Sequence, residues 1–187
     1  MPNAGCVQAG SPNEIVVLTA DTGNQSSTTE AIISPQLTVL AYTCQIGTTF
    51  QFEFVTSCAA GATAQTTPGI VYQLRWGGVG GTVICNANNI ITPATSLAAT
   101  PGLVRGGITI RTIGASGTAK GWLQVIDPRI VREATTGGIY ERIGKSGSAV
   151  TIDTTADKVL CVTSKGTVSD ASLITFGESG FMQMVRV

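Results

Sequence analysis

Glycine, proline, asparagine and aspartate interrupt this sequence at such short intervals that no stretch is left for a long, capped helix. The breaks fall at Asp21-Thr-Gly-Asn24, Thr67-Pro-Gly69, Gly77-Gly-Val-Gly-Gly81, Thr100-Pro-Gly102, Gly114-Ala-Ser-Gly117 and Gly137-Gly138. Each has the chemistry of a turn. Glycine (23) and threonine (27) together exceed a quarter of the 187 residues, a bias that works against helix. Between the breaks the chain alternates. In Thr49-Phe50-Gln51-Phe52-Glu53-Phe54 the three phenylalanines share one face of a strand and Gln51 and Glu53 the other. Ile70, Tyr72, Leu74 and Trp76 repeat the pattern. Further β-rich runs cover 15–19, 37–41, 82–85, 107–113, 122–126, 159–163, 173–176 and 181–187. These features predict an all-β domain with no helix longer than about ten residues. The expected architecture is an antiparallel, jelly-roll-like β-sandwich whose two sheets pack about 10 Å apart.

A chain of this length buries roughly 70% of its extended surface, so one core suffices without covalent staples. Residues 14–187 read as that single sandwich, with an irregular, charge-rich excursion at 127–147. Residues 1–13 lack periodicity and read as an extended N-terminal arm ordered by a neighbour, which makes Met1, Pro2, Asn3, Cys6, Val7 and Asn13 the candidate partner contacts. The start Met-Pro-Asn-Ala-Gly has neither the basic residues nor the apolar core of a signal peptide. Cys6, Cys44, Cys58, Cys85 and Cys161 are odd in number, widely spaced and without a C-x-x-C pair. They are expected to be thiols in a protein made in a reducing cytoplasm, rather than a disulfide framework or a zinc site. No apolar run approaches the roughly 18 residues that cross a bilayer, so no membrane partner is expected.

Eleven basic and eleven acidic residues balance, and there is no histidine. The chain therefore lacks the commonest general base at neutral pH. Residues 1–74 hold four acidic groups (Glu14, Asp21, Glu30, Glu53) and no basic one, while the remainder holds eleven basic and seven acidic. Either these charges mix within one fold, or they meet head to tail between copies. Without a basic cluster interleaved with aromatics, no nucleic-acid partner is expected.

Several constellations invite a chemical reading. Gly144-Lys145-Ser146 looks like the end of a phosphate-binding loop, but the glycine that should precede it falls at Ile139, and no strand-to-helix context follows. Gly77 to Gly81 reads as a tight hairpin. Asp153 and Asp157 could pair for glycoside hydrolysis or hold calcium; the plainer reading has Asp153 starting a turn through backbone N–H groups, with Asp157 on its surface. Serines and cysteines have no histidine to activate them. Asn24-Gln25-Ser26 fits the glycosylation triplet and reads as a polar loop. Trp76 and Trp122 are expected in the core, with sugar stacking as the alternative. No catalytic residue, cofactor or metal ligand is expected.

Three segments, Ile15-Val-Val-Leu-Thr-Ala-Asp-Thr-Gly-Asn-Gln-Ser-Ser-Thr-Thr29, Gly47-Thr-Thr-Phe-Gln-Phe-Glu-Phe54 and Thr67-Pro-Gly-Ile-Val-Tyr-Gln-Leu74, together resemble a family of small tailed-phage virion proteins. The C-terminal half agrees in order through Ile108-Thr-Ile-Arg-Thr-Ile-Gly-Ala-Ser-Gly-Thr118, Asp153-Thr-Thr-Ala-Asp157 and the closing Phe181-Met-Gln-Met-Val-Arg-Val187. Members of that family are described as head decoration proteins, minor tail proteins and fibre tips. The resemblance implies a non-enzymatic jelly-roll module that self-associates as a homotrimer. With no stem, coiled coil or collagen-like repeat to project it, the expected role is a capsid decoration (cement) protein. Such a protein would bind the major capsid protein on the outer surface of the virion's head and stabilise the shell. The alternative is a minor tail, baseplate or fibre-tip protein, contacting other tail proteins and a host glycan.

Overall fold

The computed structural model describes residues 15–22, 28–60, 69–90, 97–127, 141–167 and 174–185. Among them the chain is all-β. In order come β1 (Ile15–Leu18), β2 (Ala31–Ile32), β3 (Leu37–Val39), β4 (Thr49–Ala60), β5 (Gly69–Trp76), β6 (Thr82–Ile90), β7 (Leu97–Thr112), β8 (Gly117–Ile126), β9 (Glu141–Lys145), β10 (Val150–Ile152), β11 (Lys158–Gly166) and β12 (Ile174–Val185). The expected antiparallel sandwich is present. One sheet has seven strands in the order β1-β12-β4-β7-β8, with β9 and β10 sharing the far edge of β8. The other has five in the order β2-β11-β5-β6, with β2 and β3 sharing one edge of β11. The long-range pairs β4–β12 and β5–β11 are nested, one in each sheet, while β5–β6 and β7–β8 are hairpins inside a sheet.

The alternation read from the sequence orients both faces of the core. Phe50, Phe52 and Phe54 from β4 meet Tyr72, Leu74 and Trp76 from β5 in the buried space between the sheets. Phe50 and Trp76 pack edge to face, their ring centroids 5.9 Å apart. The Tyr72 hydroxyl, inside this layer, donates to the buried carboxylate of Asp127 at 2.7 Å, so the phenol does not lie unpaired in the interior.

Several expectations about the elements are corrected. Thr100-Pro-Gly102 is not a turn but lies within β7, where Pro101 pairs with Ser57. Pairing of β7 with β8 begins at Leu103. Among the described residues, then, β7 has a neighbour on one side only at Pro101, the edge-like situation that tolerates a residue without an N–H. The described parts of the runs at 173–176 and 181–187 belong to one strand, β12, interrupted by a register shift between Gly177 and Ser179. The excursion at 127–147 ends in a regular strand, β9; residues 128–140 of it lie outside the described residues, as do Asn24-Gln25-Ser26 and the arm with Met1, Pro2, Asn3, Cys6, Val7 and Asn13.

The outer faces of the two sheets differ. On the five-stranded sheet Gln73, Arg75 and Thr163 point away from the core yet are buried. Glu30, just before β2, accepts from the Arg75 guanidinium in a two-pronged pair (Nη2 to Oε2, 2.6 Å) and from the Thr163 hydroxyl. An acidic residue of the early chain thus meets its first cation within one fold. On the seven-stranded sheet, Gln51, Glu53, Arg105, Lys120 and Trp122 are open to solvent.

Candidate functional site

Three regions of the sandwich could bind something. The first is a cleft of about 410 Å³ at one end, between the Gly77–Gly81 turn and the loop carrying Asp153, Asp157 and Lys158. The turn is the tight hairpin expected, with positive φ at Gly77, Gly78 and Gly80. The two aspartates come together here as the sequence suggested, and their bonds identify their work. Asp153 Oδ1 accepts from the Thr155 N–H at 2.8 Å and the Thr155 hydroxyl at 2.7 Å, while Oδ2 faces the Lys158 ammonium at 3.5 Å. The Thr155 hydroxyl, then its N–H, then Lys158 hold this carboxyl below the ordinary aspartate value. Asp157 Oδ1 accepts from the N–H of Ala41 at 2.8 Å. The Trp76 indole N–H donates to the Asp153 carbonyl at 2.9 Å, which fixes the loop to the core. Both carboxylates act as loop braces: Asp153 makes the turn read from the sequence, whereas the bond of Asp157 to Ala41 goes beyond that reading.

Gly144-Lys145-Ser146 has an equally structural explanation. Gly144 lies in β9 where β6 crosses closely, and a Cβ there would collide with the Asn86 carbonyl. The Ser146 hydroxyl accepts from the Gly121 N–H at 2.8 Å and lies 3.0 Å from the Ile84 carbonyl, to which it donates. Glycine and serine tie β9 down, and Lys145 is left exposed. Cys44, Cys58, Cys85 and Cys161 are buried thiols. Burial pushes Cys85 up to about 12 and, with the nearby Glu30 carboxylate adding to it, Cys161 likewise to about 12. Among the described residues no three His, Cys, Asp or Glu side chains gather as metal ligands would.

The second region is the outer face of the seven-stranded sheet. Here one expectation fails in part: Trp76 is core, 2% exposed, but Trp122 is 45% exposed. The phase of β8 explains it. Ala119, Leu123 and Val125 point inward, so Lys120, Trp122 and Gln124 point outward. That phase was readable from Ala119-Lys-Gly-Trp-Leu-Gln-Val125, where the tryptophan falls among the polar residues. Register places Trp122 in a cross-strand row running Gln183, Gln51, Gly107, Trp122, Lys145. The indole leans over Gly107, where an added Cβ would come within 3.3 Å of Nε1. In the adjacent row Arg105 donates to the Gln124 carbonyl oxygen, and the Gln124 amide donates to Glu141. Ile143, on β9 opposite Gln124, is exposed as well.

A third feature belongs to the loops at the cleft end. Tyr42, Ile46, Val79 and Ile113 all stand exposed there, and Tyr42 has a left-handed backbone (φ 61°). Its N–H donates to the Thr154 carbonyl at 3.0 Å, and the Thr154 N–H donates to Gly114 at 3.1 Å, which ties the loops into one cluster.

No known protein family and no curated protein matches this chain. Among solved structures it is similar to the CBM2 module of the evolved Dit of Lactobacillus casei BL23 phage J-1. The identity is 12% and the TM-score 0.34, over 99% of this chain and 84% of the other. At that TM-score nothing about role passes from one protein to the other.

Proposed function

We propose that the chain is a non-enzymatic structural protein of a tailed-phage virion, placed with the tail, and that it contacts a host saccharide through the outer face of its seven-stranded sheet. The observation that carries the binding surface is Trp122, a large aromatic ring held against the sheet and left in water although the fold has an inward-facing phase for apolar side chains. The virion setting is supported by the sequence resemblance, whose described segments form β1, much of β4, most of β5, the turn between β7 and β8, and the closing half of β12. The non-enzymatic reading is supported by the absence of histidine from the sequence and by the bracing roles of Asp153 and Asp157.

A second reading, a homotrimeric cement protein bound to the major capsid protein on the outside of the head, is favoured by the exposed Tyr42, Ile46, Val79 and Ile113 at the loop end. Apolar loop tips of this kind suit a protein partner. Counting this polypeptide against the major capsid protein in purified particles separates the two. A handful of copies per particle is the expected result, and hundreds would establish the cement reading instead. Absence from purified particles would overturn both.

A further inference from the structure

The geometry points to a saccharide platform centred on Trp122, with Gly107 as its floor and Gln51, Gln183 and Lys145 as its hydrogen-bonding rim. The ligand class is a neutral oligosaccharide of β-linked pyranose rings. The inference rests on the binding surface proposed above and names its ligand and subsite.

Gly107 is the residue that makes the platform. A Cβ there would sit 3.0 Å from the Phe50 carbonyl and 3.3 Å from the Trp122 Nε1. A side chain there would therefore crowd the indole and force it to shift. With hydrogen at that position the ring leans across onto the neighbouring strand, covering Gly107, which is buried. Nearly half of the Trp122 surface, 45%, stays open to solvent. The C–H face of a pyranose stacks on such a surface, and its hydroxyls, directed sideways, need donors and acceptors at the rim. Glutamine amides offer both, and Gln51 and Gln183 stand in the same row, their side chains only loosely joined at 3.5 Å. Lys145 supplies donors on the opposite side.

Shape and charge narrow the class. The row crosses five adjacent strands, so at the usual spacing it extends about 19 Å, the reach of a short oligosaccharide lying across the strands. An extended row suits an extended chain, and equatorial β-1,4-linkages keep a pyranose chain extended. Charges on the face are mixed: Lys120, Arg105 and Lys145 share it with Glu53 and Glu141, and Arg105, Gln124 and Glu141 bond to one another. A polyanion would call for an unbroken basic row.

The test titrates the full chain with cellohexaose and with chitohexaose, following tryptophan fluorescence and its quenching by acrylamide. Trp76 is buried, so quenching reports Trp122. Saturable protection by at least one of the two sugars is expected. Trp122→Ala should weaken binding roughly thirtyfold or more, as loss of a central aromatic anchor does, measured by calorimetry because the fluorophore is gone. Gly107→Ala should weaken it by a smaller factor while leaving the far-ultraviolet dichroism unchanged. Tyr42→Ala, which removes an exposed aromatic elsewhere, should bind as the parent does. Failure of the parent to bind either sugar, or equal binding by Trp122→Ala, overturns the inference. A change of oligomeric state in Trp122→Ala with no effect on sugar binding overturns it in favour of a second copy as the occupant. If the sugars do not bind but the copy number is that of a tail component, the platform alone falls; if they bind and the copies number hundreds, the tail placement falls and the platform stands.

Discussion

Asp153 shows how a residue that reads as chemistry can be a brace. Its carboxyl lies below the ordinary value of 3.8 because the Thr155 hydroxyl and N–H donate to it and Lys158 stands beside it. A depressed pKa in the folded state contributes stability that is complete above the unfolded value and is lost as pH falls through the folded one. Asp153→Asn keeps an acceptor for Thr155 but has no charge to titrate. The thermal midpoint of the parent should therefore exceed that of the variant near pH 6, and the gap should close below about pH 4. A gap that stays constant on acidification would refute this account. The Asx turn was legible in the sequence because its partner, Thr155, lies two residues away. The bond from Ala41 to Asp157 spans 116 positions, and nothing local announces it.

At the level of elements, β9 is the least legible strand and one of the more confined. Glu141–Lys145 pairs with half of one edge of β8 and lies against β6, which approaches so closely at Gly144 that the Asn86 carbonyl occupies the place of a Cβ. Gly144→Ala is expected to cost about 1–3 kcal/mol, the range for forced overpacking, measured as a lower midpoint in urea with an unchanged slope. A neutral result would mean that β9 can shift away from β6 without loss. Sequence periodicity missed β9 because Glu-Arg-Ile-Gly-Lys carries one apolar residue and that residue, Ile143, faces water. It missed β2 and β10 because they are only 2 and 3 residues long and each completes an edge left partly open by a neighbour.

For the whole molecule, the buried cysteines are distributed reporters of cooperative unfolding. Cys58 is in β4 of one sheet, Cys85 and Cys161 are in β6 and β11 of the other, and Cys44 lies in the loop before β4. Burial and a thiol pKa of about 12 at Cys85 and Cys161 leave almost no thiolate at neutral pH. Peptide mapping after native alkylation should find these two unmodified, and in rising urea both should become reactive together at the midpoint seen by dichroism. Early labelling of Cys85 alone would show that β6 opens independently of the rest of its sheet. The same map should find Cys44, Cys58, Cys85 and Cys161 all unbridged.

What the sequence determined by itself was the class of structure and the orientation of its strongest strands. Turn residues at short intervals exclude helices, and a period of two assigns Phe50, Phe52, Phe54, Ile70, Tyr72, Leu74 and Trp76 to the core, because both are local properties of the backbone. Tertiary structure decided which strands are neighbours, and with them the candidate site. Trp122 stands out as a platform only when β7 brings Gly107 against its indole and β4, β12 and β9 bring Gln51, Gln183 and Lys145 into one row. Those residues come from five strands spread across the chain from 51 to 183. Antiparallel register, a long-range property absent from any window of sequence, sets them side by side.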